Sequence, residues 1–141
     1  MKRMLVCLLL AAALAAPSLA LASGGATASL RTTMTGRKAV PRGARRGRGR
    51  ATIRVSGPRV CWTFGRVHGI DKPRAALINK AIPGEFGPLM VKLGKRFKSA
   101  GCVTAGPGIA QAIAQSPRSF YVTIATRRFP LGAVRGQLRK A

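Results

Sequence analysis

The side chains that could take up protons, hold metals or attack a substrate are few here. The carboxylates are Asp71 and Glu85 and the one imidazole is His68, set against twenty-six lysines and arginines. Two carboxylates and one histidine assemble almost no acid–base or metal-binding machinery. His68 stands in Val67-His68-Gly69-Ile70-Asp71, read as a surface turn. Even paired with Asp71 it would lack a nucleophile marked by any motif. There is no G-x-S-x-G, no P-loop, no H-E-x-x-H and no G-x-G-x-x-G opening a helix. The residues argue for binding rather than turnover: no enzyme, no cofactor and no metal site are expected.

The chemistry left is that of cations. Pro41-Arg-Gly-Ala-Arg-Arg-Gly-Arg-Gly-Arg50 sets five arginines among three glycines in ten residues. That composition is too polar to bury and reads as a mobile loop, able to grip phosphates, sulfates or carboxylates by guanidinium forks. Lys92, Lys95, Arg96 and Lys98 form a second group, Arg127 and Arg128 a third, and Arg139 and Lys140 a fourth. The candidate polyanion contacts are Arg42, Arg45, Arg46, Arg48, Arg50, Lys95, Arg96, Lys98, Arg127 and Arg128. Charge spread this widely draws polyanions from a Debye length away. The expected partners are anionic polymers, such as wall polymers or acidic polysaccharide, or an anionic lipid surface. Exposed aromatics are not interleaved with the cations as a single-strand stacking platform requires, so no specific nucleic-acid role is expected.

The N-terminus supplies an address. Lys2 and Arg3 precede an apolar stretch from Met4 to Ala16, and Ala20-Leu21-Ala22 offers small residues to a signal peptidase. Residues 1–22 read as a cleaved signal peptide and 23–29 as a linker. Pro17 and Ser18 interrupt the stretch, and its unbroken part is too short for a bilayer span, so no transmembrane segment remains after cleavage. A secreted or envelope location follows. Cleavage leaves 119 residues, one domain's worth, and removing Lys2 and Arg3 takes the net charge from +24 to +22. Cys7 leaves with the signal. Cys61 and Cys102 enter an oxidising compartment as an even pair and are expected to form a disulfide.

Elsewhere the pattern is that of short strands. Ile53 and Val55 alternate with Thr52 and Arg54; Val60, Trp62 and Phe64 with Cys61 and Thr63; Leu89, Val91 and Leu93 with Met90 and Lys92. Tyr121–Thr126 and Ala133–Leu138 continue it, with Gly- and Pro-rich turns between. The expected class is all-β, a sandwich or barrel of short antiparallel strands. One short helix interrupts it, because Ile109, Ala112 and Ile113 stand at i, i+3 and i+4 and Pro117 closes the pattern; it spans Ile109 to Gln115 and caps one end. Trp62 reads as a packing residue. Cys61 and Trp62 must face opposite ways on a regular strand. A bulge, a sheet covered on both faces, or an outward disulfide would each reconcile them.

The run Tyr121-Val-Thr-Ile-Ala-Thr-Arg-Arg-Phe-Pro-Leu-Gly-Ala-Val-Arg-Gly-Gln-Leu138 resembles the end of the chordin-type (CHRD) domain, whose pattern is Y-V-N-V-H-T, then Y/F-P-x-G and I/V-R-G-Q-L. Ala75-Ala-Leu-Ile-Asn79 with Gly84 and Gly87-Pro88 resembles that family's A-A-H-I-H and later G-x-x-G-P, and Leu30 to Pro41 its opening strand ending in V-P. The resemblance spans residues 30–138, includes the basic loop at 41–50, and implies an immunoglobulin-like sandwich or barrel. Its three patterned histidines are replaced by Leu77, Asn79 and Ala125. Imidazoles two apart on a strand share a face and can share an ion, as in copper/zinc superoxide dismutase. A metal-binding or dismutase-like enzyme is therefore the alternative that the resemblance implies, and these substitutions speak against it. Gly136 in Arg135-Gly136-Gln137 is read as permitting close backbone approach, with Arg135 and Gln137 bonding a neighbouring loop.

Overall fold

The computed structural model describes Gly25 and residues 27–141; the expected signal peptide, residues 1–22, lies outside the described residues. Alternation produces the central hairpin. In β2 (Arg48–Ser56) Ala51, Ile53 and Val55 are buried while Thr52 and Arg54 are exposed; in β3 (Arg59–His68) Val60, Trp62 and Phe64 point inward. β1 (Thr27–Thr35) pairs with β2 along its whole length and begins three residues before the expected domain start. His68 is the exposed last residue of β3, not a turn residue.

The remaining elements are β4 (Pro73–Lys80), β5 (Leu89–Lys92), β6 (Ala100–Thr104), α1 (Ile109–Gln115), β7 (Phe120–Thr126), β8 (Val134–Gln137) and β9 (Arg139–Lys140). All strands join one antiparallel sheet in the order β5-β4-β7-β8-β1-β2-β3-β6, with β9 beside β1. That sheet curls into a half-barrel, so the expected all-β class holds in its barrel form. The end strands β5 and β6 face each other across a groove of about 390 Å³ that Lys92, Lys95, Val103 and Thr104 help to line. Among the described residues no helix is long and apolar enough to cross a membrane.

Leu30, Met34, Ile53, Val60, Trp62, Ile78, Val122 and Ile124 fill the concave side, and α1 adds Ala110, Ile113 and Ala114 to the same core. The helix has the expected bounds and packs on β1 and β2. Trp62 is 4% exposed and donates its indole N–H to the Lys98 carbonyl at 2.9 Å, which confirms its packing role.

Cys61 and Cys102 are bonded, and the bond lies on the convex face. The strand is regular there, so of the three ways to reconcile Cys61 with Trp62 the outward disulfide is the one adopted. The Phe64 N–H donates to Ser99 O at 2.7 Å and the Ala105 N–H to Pro58 O at 2.8 Å. Counting inward by twos from those bonds places the cysteines at a position without ladder hydrogen bonds, where facing Cα atoms approach most closely. Theirs are 4.0 Å apart.

The sheet is covered on both faces elsewhere, at β7, where all seven residues are buried. Phe120, Val122 and Ile124 face the core, and segment 81–88 folds back over the opposite side.

Candidate functional site

The arginine-rich segment is not the mobile arm its composition implied. Residues 48–50 already belong to β2, and a short 3₁₀ turn, Gly36–Lys38, follows β1. Gly43 N–H donates to Gly36 O at 2.9 Å, Ala44 N–H to Ala133 O at 2.8 Å, and Gly47 N–H to Ala44 O at 2.9 Å. Ala44 is 7% exposed. Gly43 is required for this docking: a Cβ there would stand 2.2 Å from Ala133 O. With the backbone committed inward, the side chains of Arg42, Arg45 and Arg46 are left at the surface.

They line two adjoining clefts that meet at Gly43 and Arg45. One, of about 480 Å³, is bounded by Gly36, Arg37, Arg42, Gly43 and Arg45. The other, of about 540 Å³, takes in Arg45, Arg46, Ile70, Asp71, Arg128 and Phe129. Five arginines from three separate segments thus line the two clefts, and Asp71, in the second cleft with Arg45, Arg46 and Arg128, is the one carboxylate among them. Like charges gathered along adjoining clefts repel unless counter-ions or a multivalent anion lie between them.

The structure divides the expected contacts. It unites Arg42, Arg45 and Arg46 with Arg128, and adds Arg37, which sequence reasoning passed over because Leu30–Pro41 read as one strand. Arg48 is half-buried and donates to its neighbour's carbonyl, Gly47 O, at 2.9 Å. Arg50 is exposed on β2, opposite Gly65. Lys95, Arg96 and Lys98 are exposed between β5 and β6, where Lys95 lines the groove between the end strands. Arg127 is exposed but lines neither cleft.

The positions of the replaced histidines fall on β4 and β7. Leu77 pairs with Thr123, Asn79 with Tyr121 and Ala75 with Ala125, so Leu77, Asn79 and Ala125 share the convex face. Asn79 turns its amide N–H to Gly87 O at 3.0 Å. Among the described residues, no three of His, Cys, Asp and Glu come together.

Arg135 occupies that same face and is 2% exposed. It donates to the carbonyls of Ile82, at 2.9 Å, and Glu85, and to Gln137 Oε1 at 3.2 Å. Its guanidinium lies 3.5 Å from the centre of the Tyr121 ring. Burial lowers its pKa from the ordinary arginine value, the neighbouring Tyr121 acting in the opposite sense. Gln137 donates to Ala81 O at 2.5 Å and Arg118 O at 2.7 Å. A Cβ on Gly136 would stand 2.3 Å from Thr32 Oγ1 and 2.7 Å from Thr33 O, so the strand can approach β1 only as glycine. The expected structural role of all three residues is met.

An open, curled antiparallel barrel with a loop strapped over its convex face by a buried arginine defines the class of domain. The CHRD domain family matches residues 20–138, most of the chain, and the chain belongs to that family. No curated protein and no solved structure matches it at a comparable standard.

Proposed function

We propose that this CHRD domain is an exported, non-catalytic module that binds anionic polymers at the twin clefts around Gly43. The observation that carries the reading is that Arg37, Arg42, Arg45, Arg46 and Arg128 line two adjoining clefts in which Asp71 is the one carboxylate. With twenty-six cations and two carboxylates in the chain, ion pairing within the protein cannot neutralise such a cluster. An external phosphate, sulfate or carboxylate polymer can, each guanidinium offering a planar fork to two oxygens.

Binding then proceeds largely by release of counter-ions from the polymer, and affinity falls linearly on a logarithmic salt plot. The test is titration of the protein with dextran sulfate over a range of salt concentrations. Replacing the five cleft arginines by glutamine is expected to flatten the slope, whereas replacing Lys95, Arg96 and Lys98 should move it less. Wild-type affinity indifferent to salt, or unaltered by loss of the cleft arginines, would refute the proposal.

A further inference from the structure

Segment 81–88 is built unlike an ordinary solvent loop. Ile82-Pro83-Gly84-Glu85 forms a turn closed by Glu85 N–H donating to Ile82 O at 3.2 Å, with Gly84 at φ 85°, the pattern of a type II turn. Its carbonyls face inward: Ala81 O to Gln137, Ile82 O and Glu85 O to Arg135, Gly87 O to Asn79. The Tyr121 hydroxyl accepts from Gly87 N–H at 3.2 Å. This leaves Ile82 and Phe86 each 54% exposed, with Leu89 next to them at 51%. Three large apolar side chains are thus presented to water by a backbone fastened from beneath.

The surroundings are cationic. Gln137 bonds Arg118 O as well as Ala81 O, so the turn bearing Arg118 abuts the apolar loop. Arg118, Arg139 and Lys140 line one cleft, and exposed Lys80 leads directly into the loop. This rim lies at the end of β7 and β8 opposite the arginine clefts, which sit by Arg128 and Ala133. The three apolar side chains expose roughly 300 Å², well below the ~800 Å² per partner of a stable protein interface. Small apolar insertion combined with a basic patch is instead the two-part requirement for lasting attachment to an anionic bilayer.

We infer that Ile82, Phe86 and Leu89 form a membrane-insertion tip, held rigid by Arg135 and Gln137, that enters the interface of an anionic lipid surface while Lys80, Arg118, Arg139 and Lys140 contact its headgroups. The tip is separate from the polymer clefts and adds an attachment that salt does not abolish. Glu85 on the tip opposes it, which makes its removal informative.

The test compares variants of the exported protein, recovered after loss of the expected signal peptide, so that its apolar stretch does not itself partition into the vesicles. Cosedimentation with phosphatidylcholine vesicles, with and without phosphatidylglycerol, is measured at low and high salt, beside binding to dextran sulfate. Ile82→Ser with Phe86→Ser is expected to lower partitioning onto anionic vesicles on the order of tenfold and to remove the part that survives high salt. Dextran sulfate affinity should stay unchanged, and Glu85→Gln should bind vesicles more tightly. The Phe86→Trp variant should gain a blue-shifted emission on vesicles and none on dextran sulfate. A tip variant that partitions like wild type, or Phe86→Trp emission indifferent to vesicles, would overturn the inference and leave the loop as a contact for another protein. Loss of dextran sulfate binding by the wild type would sink the cleft proposal instead.

Discussion

Arg135 and the arginines around Gly43 occupy opposite surroundings, although Arg135 stands only two residues from Ala133, on which the arginine segment docks. Arg135 is buried beneath segment 81–88, its donors spent on two backbone carbonyls and Gln137 and its flat face laid on Tyr121. Arg42, Arg45 and Arg46 are exposed, and it is the backbone of Gly43 and Ala44 between them that is spent, on Gly36 and Ala133. In the first region the side chain holds a loop; in the second a loop holds the side chains. One residue type therefore serves cohesion where carbonyls converge on it, and where it stays at the surface it is left available for the recognition proposed above.

That contrast breaks most readily at Arg135. Its replacement by methionine takes the side-chain donor from Glu85 O, leaves Ile82 O with only its turn bond, and should cost about 3 kcal/mol in urea unfolding, with little effect on the salt slope for dextran sulfate. A parallel loss of polymer binding would erase the distinction. Glutamine at all five cleft arginines should weaken dextran sulfate binding on the order of a hundredfold at moderate salt while the unfolding midpoint holds steady or rises, since like charges have been removed. Tyr121→Phe removes the hydroxyl that accepts from Gly87 and should cost about 1 kcal/mol, read from the same unfolding curves. The smallest effect is expected from Lys95, Arg96 and Lys98 changed together to glutamine, a few-fold loss of affinity at most, because these cations lie outside the clefts.

Elements with one wet face were legible in the sequence, and those without one were not. β2 and β3 alternate because each has a core side and a solvent side, and α1 shows its i, i+3, i+4 spacing for the same reason. β4 reads Pro-Arg-Ala-Ala-Leu-Ile-Asn-Lys, with little alternation, since part of it is covered on both faces. β6, Ala-Gly-Cys-Val-Thr, is an end strand whose small residues carry no marked period. The family motifs located β4 where periodicity could not. The basic segment misled because composition measures the wish of side chains to stay wet and is blind to backbone bonds such as Ala44 N–H to Ala133 O, made across eighty-nine positions of sequence. Arg37 and Arg128 were separated from the cluster by the same blindness.

The half-barrel leaves two rims unpaired. On β6 the pairing alternation turns the backbone groups of Ala100, Cys102 and Thr104 away from β3, an open template onto which a second copy could zip. The Cys61–Cys102 bond stops that rim from peeling, and Lys92 and Lys95 stand on the opposite bank of the groove. Every copy also carries the same large excess of positive charge, so approach of rim to rim is repelled before any ladder can start. The cations that would bring the domain to its target thus also act as its guard against self-association.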